Sequence, residues 1–124
     1  MVDETVSAGS GKCVLLVEDD AIVASNLVSY LNDLGHVVTW CSNLDEAIVS
    51  IDRLQSIDIA IVDLNLDGKL STPILERLVA LNVFTVLCTG YDVSSVDERF
   101  RMLPRVEKPF TRKAVRMLFS EQKQ

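Results

Sequence analysis

CVLLVEDDAIVASNLVSYLNDLGHVVTWC (residues 13–41) is the stretch that decides the fold. Its first five residues are an unbroken apolar run that ends in three acids, Glu18, Asp19 and Asp20. A half-solvated strand would alternate apolar and polar residues, so an unbroken run predicts a strand covered on both faces. From Asp20 the period changes: Val23, Leu27, Tyr30, Leu31 and Leu34 fall on one stripe of a helix that Asp20 can cap and Gly35 can stop. HVVTWC (36–41) is a second apolar run. Strand, helix and strand in this order describe a parallel βαβ unit.

The same alternation continues outward. Ser42, with Asp45 three residues later, is a helix-start signal for a segment that turns Ala47, Ile48, Ile51 and Leu54 inward. A third strand is expected at IDIAIV (57–62) and a fourth at VFTVLC (83–88). Between them Thr72 and Pro73 open a helix whose buried side is Ile74, Leu75, Leu78 and Leu81. The stretch 92–102 is polar and weakly amphipathic, so a fourth helix there should be short or mobile. Pro104 to Glu107 reads as a short fifth strand that its proline confines to a sheet edge. Thr111 then caps a last helix to Ser120, with Phe110 and Val115 as the staple across that cap. Five alternations of buried strand and helix predict an α/β fold with a doubly wound parallel sheet between two helical layers. Residues 1–12 read as a flexible leader, 13–120 as the domain and 121–124 as a tail.

The chain has 124 residues, 48% of them hydrophobic, which makes one globular domain with enough core to fold unaided. With 12 basic against 18 acidic side chains it carries a formal charge of −6. That balance repels phosphate backbones and anionic lipid, and disfavours a non-specific nucleic-acid or membrane-surface binder. The charge is not uniform: residues 1–98 hold 4 basic and 16 acidic side chains, whereas 99–124 hold 8 and 2. Arg99, Arg101, Arg105, Arg112, Lys113 and Arg116 could form a face for an acidic protein partner. No apolar run approaches the ~20 residues of a membrane span, and no signal pattern opens the chain. Cys13, Cys41 and Cys88 are odd in number and widely spaced, and are expected to be buried reduced thiols, in keeping with a cytoplasmic location.

In open doubly wound sheets the ligand lies beyond the carboxyl ends of the strands. Here the first apolar run ends in Glu18-Asp19-Asp20, the third in Asp63, the fourth in Thr89-Gly90 and the fifth in Lys108-Pro109. Converging carboxylates would repel one another by several kcal/mol, so a cation must sit among them. Hard oxygens without histidine or cysteine select Mg²⁺ or Mn²⁺. Lys108 supplies a second positive group and Thr89 a hydroxyl. Together these are the parts needed to stabilise a phosphoryl group moving onto a carboxylate. Asp58, about 16 Å back along its strand, belongs to the opposite rim.

VLLVEDD (14–20), IAIVDLNLDG (59–68), VLCTG (86–90) and VEKPF (106–110), in this order and spacing, resemble the receiver domain of two-component response regulators over residues 13 to about 120. The resemblance implies a flavodoxin-like sheet of order 2-1-3-4-5. It makes Asp63 the phosphoacceptor, Glu18 and Asp19 the acidic pair with Asp19 the direct Mg²⁺ ligand, and Asn65 the donor of a backbone carbonyl to the metal. Thr89 matches the hydroxyl that moves to the phosphoryl oxygen, and Lys108 the lysine that bridges to it. The bond to Pro109 matches one usually cis in the family, and Asp20 reads as a helix cap. A sensor histidine kinase is the implied phosphodonor. The chain carries no recognisable output domain, so output is expected through protein contact, onward phosphotransfer or competition for the kinase.

Other readings compete. Asp63-x-Asn65-x-Asp67-Gly68 opens like a calcium-binding EF-hand loop, but position twelve is Ile74 instead of a bidentate Glu. A haloacid dehalogenase-type phosphatase would carry a second acid where Asn65 stands. The remaining alternatives are a small Mg²⁺-dependent phosphohydrolase acting through Asp63 and a degenerate receiver that binds partners unphosphorylated. The sequence also departs from most receivers, which carry an aromatic residue two or three places before the lysine, where this chain has Arg105 and Val106. LDGKLSTP (66–73) lacks the common proline before its glycine. These features resemble a subgroup with a Thr-Gly-Tyr motif, Thr89 to Tyr91 here, in which phosphorylation is expected to order the 90–105 segment.

Overall fold

A computed structural model of the chain describes residues 11–89, 97–108 and 110–122. Most of the leader, Gly90, Tyr91, most of the weak-helix segment, Pro109 and the end of the tail lie outside the described residues. The elements are β1 (Cys13–Val17), α1 (Ala21–Asp33), β2 (Val37–Cys41), α2 (Leu44–Arg53), β3 (Ile59–Asp63), β4 (Asn65–Leu66), β5 (Lys69–Leu70), α3 (Thr72–Ala80), β6 (Phe84–Thr89), a 3₁₀ turn (Glu98–Phe100), β7 (Arg105–Glu107) and α4 (Arg112–Gln122). Five strands form one parallel sheet in the order β2-β1-β3-β6-β7, which is the expected 2-1-3-4-5 order. Among the described residues no helix is long and apolar enough to cross a membrane.

The unbroken apolar runs are shared between two cores by parity. Leu15, Val17, Ala60, Val62 and Leu87 face the layer of α2 and α3, where they meet Ala47, Ile51, Ile74, Leu75 and Leu78. Val14, Leu16, Ile59, Ile61 and Val86 face the opposite layer and pack on Leu27 and Leu31 of α1 and on Val115 and Leu118 of α4. Each of the valines, leucines and isoleucines among them, fully buried, contributes about 1.5–3 kcal/mol. Because successive residues point to opposite faces, a strand that serves both layers is apolar nearly throughout, and the buried Thr85 of β6 satisfies its hydroxyl by donating to the Val83 carbonyl at 2.9 Å.

The helix ends follow local chemistry. Asp20 caps α1 by accepting from the Ile22 and Val23 amides, and Gly35 takes a left-handed φ of 90° at its other end. The start of α2 lies one residue later than its expected Ser42 signal. Asn43 is the cap, and Glu46 reaches back to the Ser42 amide and hydroxyl. Thr111 caps α4 through the Ala114 amide, as expected.

Four further differences have physical causes. Leu81 is exposed, because α3 stops at Ala80 and Asn82 turns left-handed at φ 60° before the Leu81 side chain can reach the core. The loop after β3 contains a hairpin, β4 and β5, whose Asp67 and Gly68 both have positive φ, the geometry that a two-residue Asp-Gly turn favours. Cys13 is exposed, unlike Cys41 and Cys88, because it opens β1 at the sheet rim. His36, the first residue of the expected second run, precedes β2 instead of opening it: it is buried, stacks on Phe119 with ring centroids 4.0 Å apart, and accepts the Lys12 amide at Nδ1.

The two leucines of α3 make a clean test of where the core ends. Leu78→Ala should cost about 2–5 kcal/mol in urea unfolding, and Leu81→Ala less than about 0.5 kcal/mol.

Candidate functional site

β1 lies between β2 and β3, and the chain leaves β1 for α1 on one face and β3 for α3 on the other. The two connections therefore diverge and leave a crevice at the carboxyl ends of β1 and β3. Glu18, Asp19, Asp20, Asp63, Asn65, Asp67 and Lys108 line a cavity of about 460 Å³ there. The expected acids and lysine thus meet in one place.

Each is fixed by its backbone. Glu18 follows the last residue of β1, and its amide donates to the Cys41 carbonyl of β2 at 3.0 Å. Its carboxylate is 1% exposed and accepts from the Asp20 amide at 3.1 Å. Asp63 is the last residue of β3 and is also buried. One of its oxygens accepts from the Asn65 amide at 3.3 Å and the other from Lys108 Nζ at 2.9 Å. Lys108 follows β7, gives its amide to the Thr89 carbonyl at 3.3 Å, and brings Nζ to 3.0 Å from Glu18 Oε1. Thr89 is buried at the end of β6. Asn65 is exposed, and its side-chain oxygen accepts from the Gly68 amide. Asp20 faces solvent as a helix cap, and Asp58 accepts from the Cys13 amide at the other end of the sheet, both as expected.

One ammonium against two buried carboxylates leaves negative charge in excess. Burial, with the charge of Asp63 added, pushes the Glu18 carboxyl up to about 7 against the lowering effect of the Asp20 amide. Burial alone would lower Lys108, but its hydrogen bonds to Asp63 and Glu18 outweigh it and hold the ammonium above its usual range. One oxygen from each of Glu18, Asp19 and Asp63 lies within 4.8 Å of the others. These hard donors fit a Mg²⁺ or Mn²⁺ ion. The nearby Cys88 thiol is pushed well up by burial and by Asp63, so it stays neutral and offers no soft ligand.

The sequence matches the family described as the response regulator receiver domain over residues 14–118. This chain is a member of that family. The receiver resembles the solution structure of SdrG from Sphingomonas melonis Fr1, with 33% identity, 91% of this chain and 97% of that chain covered, and a TM-score of 0.80. It also resembles the BeF3-activated conformation of SdrG from Pseudomonas melonis Fr1, with 34% identity, 87% and 92% covered, and a TM-score of 0.74. The PhyR receiver domain of Erythrobacter litoralis shares the fold at 22% identity, with 94% and 92% covered and a TM-score of 0.79. Curated proteins provide no match to this sequence.

Two contacts of the receiver's site went unread in the sequence. The Asp67 amide in the hairpin turn donates to Asp19 Oδ2 at 2.7 Å, so the loop after β3 orients the acid after β1. The Asp67-Gly68 dipeptide is a hairpin signal that could have shown this. Trp40 Nε1 donates to the Glu18 carbonyl at 2.8 Å, and no local pattern announces it.

The raised Glu18 carboxyl has a definite sign in stability. Glu18 holds its proton more tightly than the ordinary value of 4.5, so its contribution is full below pH 4.5 and is lost as pH rises through about 7. In chelator, Glu18→Gln should therefore gain stability relative to the wild type between pH 5 and pH 8, by up to about 3 kcal/mol in urea unfolding. Parallel pH profiles would contradict the assignment.

Proposed function

We propose that Asp63 accepts a phosphoryl group from the phosphohistidine of a sensor kinase, and that the added charge switches this receiver's contacts with other proteins. The observation that carries this reading is the bridge of Lys108 Nζ between Asp63 Oδ2 at 2.9 Å and Glu18 Oε1 at 3.0 Å. A buried acid at the end of an apolar strand, held by a lysine, has both oxygens oriented by donors. In the transfer an Asp63 oxygen forms a bond to phosphorus as the phosphorus–nitrogen bond to histidine breaks. Lys108 exchanges part of its contact with the carboxylate for the incoming phosphoryl oxygens. Thr89, at the end of the neighbouring strand, presents a hydroxyl to the same group and links its charge to the β6 end. Water resets the receiver by attacking phosphorus and cleaving the acyl phosphate, which returns the Asp63 carboxylate and releases inorganic phosphate.

Asp19 and Asp63, with the main-chain carbonyl of Asn65, would hold the divalent cation directly, and Glu18 would complete its acidic surroundings. When bound, Mg²⁺ or Mn²⁺ supplies charge neutralisation for the phosphoryl oxygens. The BeF3-activated conformation of SdrG supports a receiver that changes state in this way. The Arg105 and Val106 positions, where most receivers have an aromatic residue, and the Thr89-Gly90-Tyr91 run support membership of the Thr-Gly-Tyr subgroup. The cytoplasm, where kinase domains and Mg²⁺ are available, is the proposed location.

An acidic partner on the basic 99–116 face is part of the proposal, in narrowed form. Arg112 pairs with Asp33 and lies over Tyr30, and Arg99 pairs with Glu76 and Asp97. Lys113 and Arg116, exposed on α4, are better placed to meet a partner.

Incubation with acetyl phosphate and Mg²⁺ should add one phosphoryl mass to the intact chain, and Asp63→Asn should abolish the adduct. Lys108→Ala should slow its formation at least tenfold. Turnover of free phosphate esters without an adduct would indicate a phosphohydrolase instead, and no adduct with any donor would indicate an unphosphorylated binding module.

A further inference from the structure

The end of β1 is followed by two acids, Glu18 and Asp19, that line one crevice, so its backbone sets where both stand. Parallel strands hold each other by main-chain bonds that alternate direction along the pair. With Val17 level with Cys41, the Glu18 amide finds the Cys41 carbonyl, and the next group to be satisfied is the Glu18 carbonyl. Its donor should come from β2 beyond Cys41. There the chain has already turned into the start of α2: the Ser42 amide is taken by Glu46 Oε1, and Asn43 caps the helix at the Glu46 amide. The indole of Trp40 takes the place of that ladder bond, with Nε1 donating to the Glu18 carbonyl at 2.8 Å. Trp40 is 42% exposed on an edge strand, so core packing does not account for it. The Glu18 carbonyl belongs to the peptide unit that carries Asp19. Asp19 is held from the other side by the Asp67 amide.

We infer that Trp40 is a positioning residue for the cation site, fixing through the Glu18 carbonyl the peptide from which Asp19 projects. The inference rests on the reading of Glu18, Asp19 and Asp63 as the surroundings of a divalent cation. Trp40 touches neither the cation nor the phosphoryl group. Its loss acts on how well the acids are pre-arranged, and thus on metal affinity before any transfer. One neutral hydrogen bond and the supporting contacts of a metal site set the scale of the effect at about 3–10-fold.

The test is Mg²⁺ titration of the whole chain by calorimetry, with no phosphodonor present, for wild type and Trp40→Phe. The variant should bind Mg²⁺ about 3–10-fold more weakly, and saturating Mg²⁺ should restore its rate of adduct formation from acetyl phosphate. Trp40 is the single tryptophan of the chain, so one indole N–H resonance in the wild type should shift with Mg²⁺ at the calorimetric dissociation constant. Replacing Trp40 by benzothienylalanine, which keeps the bicyclic ring and lacks the N–H, should reproduce the weakening even if Trp40→Phe folds poorly. Equal Mg²⁺ affinity in wild type and both replacements would overturn the role of Trp40 while leaving Asp63 as the proposed phosphoacceptor. A wild-type chain that binds no Mg²⁺ would overturn the cation site as well.

Discussion

The contact of Lys108 with Glu18 and Asp63 joins the first, third and last strands of the sheet at one point. Two buried carboxylates could not share the end of a parallel sheet without a cation between them, and the ammonium of Lys108 is the cation that the chain itself provides. Its own placement depends on β7, whose register with β6 brings the Lys108 amide to the Thr89 carbonyl. A short edge strand of three residues therefore carries a disproportionate burden. It sets the position of the charge that makes burial of Glu18 and Asp63 tolerable.

Much of this was legible because apolar runs and strand ends are local patterns. The five strands and the convergence of Glu18, Asp19, Asp63 and Lys108 follow from reading where each run stops, whereas the strand order comes from the resemblance to receiver domains. What escaped has a common cause, namely that it depends on pairs distant in the chain or on single backbone conformations. The Asp67 amide meets Asp19 across 48 positions, and Trp40 meets Glu18 across 22. Neither pairing leaves a periodic trace. Leu81 obeys the helical period of α3, yet the left-handed Asn82 ends that helix first. Ser42 and Asn43 are both acceptable caps, and Glu46 decides between them by the position of its own carboxylate. His36 owes its burial to Phe119, which lies at the far end of the domain.

The crevice is also asymmetric in how its walls are held. Glu18 and Asp63 grow out of central strands and are buried, whereas Asp19, in the bend after β1, and Asn65, at the start of β4, are exposed. The β4–β5 hairpin joins the two kinds, since its Asp67 amide reaches Asp19 while its base is closed by Ser71, whose amide and hydroxyl both donate to the Leu64 carbonyl.

The sheet ends laterally in β2 on one side and β7 on the other. An open strand edge invites another chain to pair with it, and longer, flatter edges invite it more strongly. On the β7 side the exposed length is three residues, preceded by Pro104 and carrying Arg105 and Glu107 outward. A proline that cannot donate and side chains of opposite charge make that edge a poor template for aggregation. β2 is longer, and its exposed Val37 and Trp40 give it no such protection by charge. The β2 side is therefore the edge more open to pairing with another chain, and a lysine at the exposed Val37 would add charge to it without touching the core.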